Sequence, residues 1–248
     1  MSQKHTIIFG GTKGIGLVLA TTLAAQGDDV TVLGRSTPEA ALSAFPTLRH
    51  LACDFVQPGS LDAALSTLRA SRPAPNHLVF LQRFRGEGDK WQGEIDASLQ
   101  ATRKAIEFFS DKFSPAADNA IVGVSSVVGE FIAADQSVSY HLAKAGLLQL
   151  LRYYAVTLGP RGVRVNAVCP GTTVKPESAD FYSKNAPLND LYHKIVPLGR
   201  MGRAEDVVNV VRFLCSPMAS FVTGQTIFVD GGVSLHSQES LARKLTQI

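Results

Sequence analysis

Thr6-Ile7-Ile8-Phe9-Gly10-Gly11-Thr12-Lys13-Gly14-Ile15-Gly16 decides the fold. Residues 6–9 form a compact apolar run of the kind a buried strand needs. Over residues 15–26 the apolar positions recur at helical spacing, and Gly27 follows as a stop. Between the two, glycines 10, 14 and 16 let the backbone turn sharply and come close to a pyrophosphate, while the helix start offers free N–H groups and the positive end of its dipole. A glycine-rich turn is also found without a ligand. Here it sits in the strand–turn–helix context that dinucleotide binding requires.

The same alternation runs outward from this turn. Short apolar or β-branched runs at 30–33, 48–53, 77–81, 120–124, 163–168 and 226–229 predict six further strands. Helical spacing at 61–70, 92–109, 138–158 and 205–214 predicts the elements between them. Strands that are apolar on both faces, with helices between, predict an α/β fold: a single doubly wound parallel sheet, Rossmann-like, of about seven strands with helices on both faces. The chain has 248 residues, or about 1.7 domains of average size, and one uninterrupted series argues for a single NAD(P)-binding oxidoreductase domain over 1–248. Residues 171–202 lack a clear strand and follow a strand's C-terminal end, where such sheets bind ligands. They are expected to act as a substrate lid.

Composition narrows the function. Hydrophobic residues make up 45% and charged residues 18%, which excludes a disordered chain. The 24 basic and 21 acidic residues leave a net charge of +3. The basic residues are dispersed, so neither a nucleic-acid partner nor a lipid surface is expected. No apolar stretch is long enough to span a bilayer, and Met1-Ser2-Gln3-Lys4-His5 lacks the features of a signal peptide, so a cytoplasmic setting is expected. Cys53, Cys169 and Cys215 are far apart and odd in number, and read as buried apolar residues. The histidines lack metal spacing, so no metal is expected.

Further motifs give the glycine turn a family. Its spacing is G-x-x-x-G-x-G. Ser125-Ser126 ends a strand, Tyr140-His141-Leu142-Ala143-Lys144 reads Y-x-x-x-K, and Asn166-Ala167-Val168-Cys169-Pro170-Gly171 reads N-x-x-x-P-G. Pro197-Leu198-Gly199-Arg200-Met201-Gly202 and the stretch from Gly224 to Gly232 complete the set. Over residues 5–233 the chain resembles the short-chain dehydrogenase/reductase family, and most generally its 3-oxoacyl-carrier-protein reductase type. The resemblance implies a cofactor-dependent oxidoreductase acting on a small-molecule carbonyl or alcohol substrate. It also implies a homo-oligomer, a dimer or tetramer, with the two longest helices in one interface.

Tyr140 and Lys144 are four residues apart and share a helix face. A lysine ammonium one turn away favours a phenolate. Tyr140 is thereby suited to give a proton to a carbonyl oxygen as hydride arrives, and to take it back in reverse. The resemblance gives Lys144 a second task on the nicotinamide ribose, and Ser126, rather than Ser125, the task of holding the substrate oxygen. It also marks Gly10, Thr12, Lys13, Gly14, Ile15, Gly16, Pro170, Gly171 and Thr173 as cofactor residues, with Asp54 on the adenine. An acidic residue after the second strand would favour NAD, but Gly34-Arg35-Ser36 stands there. Arg35 can clamp a 2′-phosphate, Ser36 can hydrogen-bond it, and Lys13 adds a second cation, so the expected cofactor is NADP, as NADPH.

Three departures stand out. Where the family has Asn-Asn-Ala-Gly after the fourth strand, this chain has Phe80-Leu81-Gln82-Arg83, followed by Phe84-Arg85-Gly86. The family's helix asparagine, which helps hold a water in the proton path, is matched by Ser98. The family's threonine after Pro-Gly is matched by Lys175. Arg83 and Arg85 are suited either to an anionic group of the substrate or cofactor, or to local pairing with Glu87 and Asp89. Trp91 reads as a packing residue at a helix start. The favoured function is NADPH-dependent reduction of a ketone or aldehyde, or the reverse. The alternatives are a non-catalytic dinucleotide-binding protein, and a dehydratase or epimerase on the same fold.

Overall fold

A computed structural model describes residues 4–71, 74–113 and 118–248. In chain order the first half contains β1 (His5–Phe9), α1 (Gly14–Ala25), β2 (Asp29–Gly34), α2 (Glu39–Ala44), β3 (Leu48–Ala52), α3 (Ser60–Ser71), β4 (His77–Phe80), α4 (Lys90–Glu94) and α5 (Ala101–Phe109). The second half contains β5 (Asn119–Val124), α6 (Val138–Leu158), β6 (Val163–Pro170), β7 (Thr173–Val174), α7 (Ala179–Ser183), α8 (Ala186–Ile195), β8 (Gly202–Arg203), α9 (Ala204–Leu214), β9 (Thr226–Val229) and α10 (Gln238–Thr246).

Seven parallel strands form one sheet in the order β3-β2-β1-β4-β5-β6-β9, which is the expected Rossmann-like α/β architecture. All residues of β1, β4, β5 and β6 are buried, because helices cover both faces. Alternate residues serve opposite layers. Ile7 and Phe9 pack with Leu65 of α3, Ile106 of α5 and Leu148 of α6. Ile8 packs with Leu19 of α1 and Val207 of α9 on the other face. Phe9 and Phe80 are register partners across β1 and β4, with their rings stacked at 4.6 Å. The strand order reverses between these two strands, and a ligand crevice opens there beyond the carboxyl ends.

Two local expectations need correction. The helix read over 92–109 is not continuous: α4 and α5 are joined by a π-helical turn, Ile95–Gln100. Thr102 of α5 donates its hydroxyl to the Ser98 carbonyl of that turn at 2.7 Å, and on the α4 side the aromatic ring of Phe84 presses on Gly93. Trp91 is 49% exposed, and Asp89 fixes the helix start by accepting from the Trp91 and Gln92 amides. Residues 171–202 contain two short helices that bury none of their residues, and their ends are tied by the β7–β8 pair. Among the described residues, no helix is long and apolar enough to cross a membrane.

His77, buried at the start of β4, bonds Thr6 through Nδ1 at 3.1 Å. Burial, followed by the Lys4 charge, pushes its pKa down to about 3. The unfolded chain therefore binds the His77 proton more readily than the folded one below pH ~6.5. Stability should fall as the pH drops from ~6.5, by up to ~1.4 kcal/mol per pH unit from this group. Urea melts between pH 7.5 and pH 5 should show a flatter dependence for His77→Leu than for the parent chain.

Candidate active site

The glycine turn lies at the crevice. Gly10 and Gly14 have φ of 82° and 56°, which L side chains rarely adopt. A Cβ on Gly16 would stand 2.3 Å from the Gly10 carbonyl oxygen, and one on Gly10 would stand 2.6 Å from the Gln82 backbone nitrogen. No side chain caps the start of α1, and no acidic residue occupies its first turn. The helix start is thus left for an anion.

The crevice is a cavity of about 950 Å³. Gly10, Thr12, Lys13, Gly14, Ile15, Gly16, Arg35, Ser36, Asp54, Pro170, Gly171 and Thr173 line it together with Ser126, Tyr140 and Lys144. At the β2 end, Ser36 and Thr12 share a hydrogen bond at 3.3 Å, and Arg35 donates to the Arg85 carbonyl at 3.2 Å. Asp54 caps a local turn by accepting from the Val56 amide. At the far end, Thr173 donates to the Gly171 carbonyl, and Gly171 itself is held by its amide on Val229.

Ser137 caps α6 by accepting from the Tyr140 amide, which places Tyr140 in the first turn. Lys144 is buried and donates to the Val124 carbonyl at 3.1 Å, with Nζ 5.8 Å from the Tyr140 ring centre. Burial pushes Lys144 down to about 8; the Glu94 carboxylate opposes that shift and the Arg83 charge adds to it. Ser125 donates to the Lys144 carbonyl at 2.9 Å, a structural use of that hydroxyl. Ser126 accepts from the Val128 amide at 3.4 Å and faces the cavity.

Ser98 does not reach the cavity. It is 1% exposed, and its hydroxyl donates to Glu94 at 3.4 Å. The π-helical turn in which it lies directs it inward. Arg83 does not pair with Glu87 or Asp89. Its Nε lies 3.8 Å from buried Glu94, and its guanidinium sits 4.3 Å from the centre of the Tyr140 ring. Burying an acid on α4 gives Arg83 a partner that a reading by sequence proximity does not find.

Several other residues of the site were not anticipated. His141 accepts from the Ala133 amide through Nε2 and donates through Nδ1 to the Ser137 carbonyl, tying the preceding loop to α6. Buried Gln82 donates to Thr102 at 2.8 Å. Lys175 and Glu177 reach over the glycine turn: a Cβ on Gly14 would lie 3.3 Å from Lys175 Cδ and 3.0 Å from Glu177 Oε1. Burial, then the Arg85 charge, holds the Lys175 ammonium below its ordinary pKa. The only sequence signal for these contacts was the departure from the family pattern at 82, 83 and 175.

A family model described as enoyl-(acyl carrier protein) reductase matches residues 10–234. The chain is 30% identical over 254 residues to 3beta-hydroxysteroid dehydrogenase 1 of Eggerthella lenta, covering 95% of each chain. It is 30% identical over 250 residues to a 3-oxoacyl-(acyl-carrier-protein) reductase of Aquifex aeolicus, covering 94% of this chain and 98% of that one. Among solved structures, an oxidoreductase of the short-chain dehydrogenase/reductase family from Burkholderia thailandensis superposes with a TM-score of 0.82 at 29% identity. That match covers 100% of this chain and 98% of the other.

Proposed function

This chain belongs to the short-chain dehydrogenase/reductase family, and on that premise we propose that it reduces a ketone or aldehyde with NADPH, or runs the reverse oxidation. The observation that carries this reading is convergence: Ser126, Tyr140 and Lys144 line the same cavity as the glycine turn. The same convergence weighs against a non-catalytic dinucleotide-binding role. The turn suits a dinucleotide, because the spaces a Cβ would fill at Gly10 and Gly16 are already closed by backbone and the α1 N-terminus is uncapped. The bound nicotinamide supplies or accepts the hydride.

In this reading Ser126 holds the substrate oxygen and Tyr140 moves its proton. Lys144, anchored on the Val124 carbonyl, keeps a cation beside the phenol and holds the nicotinamide ribose. The α1 N-terminus takes the bridging phosphates, Arg35, Ser36 and Lys13 the 2′-phosphate, Asp54 the adenine, and Pro170, Gly171 and Thr173 the nicotinamide side. Ser98, turned onto Glu94, acts through the helix that carries it rather than by contact.

The segment 171–202 acts as the substrate lid, with its exposed helices free to shift. Tyr153 and Val156 of α6 are 61% and 77% exposed, which supports burial of this helix in a homo-oligomer. The reading is of a cytoplasmic enzyme.

Two measurements test the cofactor and the acid–base group. Catalytic efficiency should favour NADPH over NADH, because Arg35 and Ser36 stand where an NAD-selective acid would. Arg35→Asp should lose that preference by at least about tenfold, as expected for one charge-assisted contact. Equal efficiency with both cofactors would overturn the assignment. Tyr140→Phe keeps the ring and its contact with Arg83 but removes the transferable proton. Its turnover should fall by about 10²- to 10⁴-fold, with dinucleotide affinity retained in a fluorescence titration. Near-normal turnover would favour a dehydratase or epimerase, or another acid.

A further inference from the structure

Six cationic side chains line the cavity, Lys13, Arg35, Arg83, Arg85, Lys144 and Lys175, against three carboxylates, Asp54, Asp135 and Glu177. Lys13 and Arg35 belong to the dinucleotide end, at the glycine turn and the end of β2. Lys144 has its place beside Tyr140, and the Arg85 carbonyl accepts from Arg35 at the dinucleotide end. That leaves Arg83, against the Tyr140 ring, and Lys175, over the glycine turn, with no part in the reaction as described.

Arg83 is the more specific of the two. Its Nε faces the buried Glu94 carboxylate at 3.8 Å, too long for a close bidentate pair. Its side chain remains 40% exposed, and among the described residues its terminal nitrogens bond no protein group. The guanidinium stacks 4.3 Å from the centre of the Tyr140 ring. Glu94 below and Tyr140 beside it therefore hold the fork with its outer donors turned to the cavity. Lys175, which reaches over the glycine turn, adds a second cation to the same cavity. It is half-buried, has no ion-pair partner among the described residues, and senses the Arg85 charge, the opposing Glu177 carboxylate and the Arg83 charge electrostatically. Cations gathered in a partly desolvated cleft are costly until an anion joins them.

We propose that Arg83, with Lys175, forms a subsite for a carboxylate of the substrate itself, so that the preferred substrate is a short 2- or 3-oxo acid. The separation follows from the stacking. The Arg83 fork lies over the ring whose hydroxyl receives the substrate oxygen. An anion on the fork and a carbonyl at that hydroxyl therefore lie close together, which suits an acid with at most about one carbon atom between the two groups. A planar fork recognises carboxylate by two parallel hydrogen bonds, which a lysine at 83 would not reproduce. This subsite rests on the reductase reading for its reaction, but not for its ability to bind an anion.

The test compares acetoacetate with ethyl acetoacetate, which share the carbonyl and differ in the charge. The readout is the ratio of their kcat/KM values under saturating NADPH. Damage to the Tyr140 chemistry lowers both values and leaves the ratio in place. The ratio should exceed about ten in the parent chain and fall by about 10- to 150-fold in Arg83→Met, the range for a lost hydrogen bond to a charged group. It should fall less in Arg83→Lys and Lys175→Met. The double variant Arg83→Met/Glu94→Gln avoids stranding the buried carboxylate and should show the same loss. An ester used as well as the acid, or a ratio unchanged in Arg83→Met and in the double variant, would overturn the subsite. So would a ratio that holds while only the KM for NADPH rises, since the cations would then serve the cofactor phosphates. Calorimetric titration of malonate into the NADP-loaded protein separates the two proposals, because malonate has no carbonyl to reduce. If neither oxo compound turns over, the reductase reading fails for these substrates. Malonate binding that weakens at least tenfold in the double variant still upholds the subsite, and absence of binding in the parent chain overturns it.

Discussion

The closest constraint in the molecule is steric. The Gly10 carbonyl oxygen occupies a point 2.3 Å from where a Cβ of residue 16 would stand. Gly10 presses in the same way on the backbone of Gln82, and Gly11 on the Val32 side chain, where added Cβ atoms would each find a neighbour at 2.6 Å. Three strands and a helix therefore meet without side chains between them. β1 can turn into α1 at the sheet's reversal point only because these positions carry no Cβ. The polar groups presented at that meeting point are backbone amides, and the crevice takes its anion-binding character from them.

A second constraint follows from placing an amine in that crevice. Lys144 is buried, and desolvation disfavours its charge. The Val124 carbonyl and the nearby Glu94 carboxylate offset part of that cost. Glu94 is also the acid that faces Arg83 and accepts from Ser98. One buried carboxylate on α4 thus serves two cations and a hydroxyl. The departures at 83 and 98 are in this sense a single change. An arginine after β4 needs an internal acid, and the hydroxyl at 98 turns away from the cavity toward that acid.

This coupling explains what could be read in the sequence. The strands were legible because a parallel sheet covered on both faces needs unbroken apolar runs, and 30–33 and 120–124 supply them. The residues of the glycine turn, the Tyr140–Lys144 pair and the Pro170-Gly171 turn were legible because each fits a fixed local geometry. Glu94 was not. In the chain it follows Gly93 and precedes Ile95 like any solvated helix charge. The fold buries it, with Phe84 packed against the neighbouring Gly93 and the π-helical turn Ile95–Gln100 following directly. The inward turn of Ser98 onto Glu94 was no more legible, since matching it to the family's asparagine says nothing of which way a π-helical turn directs the side chain. Lys175 and Glu177 meet Gly14 across more than 160 positions of sequence, a contact that no local pattern encodes.

The proposed function divides the cavity into two parts of different stiffness. The dinucleotide end is built from strand ends and backbone contacts that leave no room for adjustment. The opposite wall comes from the excursion after β6, whose helices bury none of their residues. That wall is anchored at its ends, by the β7–β8 pair and by the Gly202 amide on the Thr172 carbonyl, and inside by the Thr172–Tyr192 hydrogen bond at 2.7 Å. A segment tied at its ends but weakly packed between them opens at low cost compared with the sheet. Arg83 belongs to the stiff side, fixed by Glu94 and Tyr140, whereas Lys175 belongs to the soft one. An anion held between them would draw the excursion toward the sheet and enclose the carbonyl at Tyr140, so that recognition of charge and exclusion of water become one event.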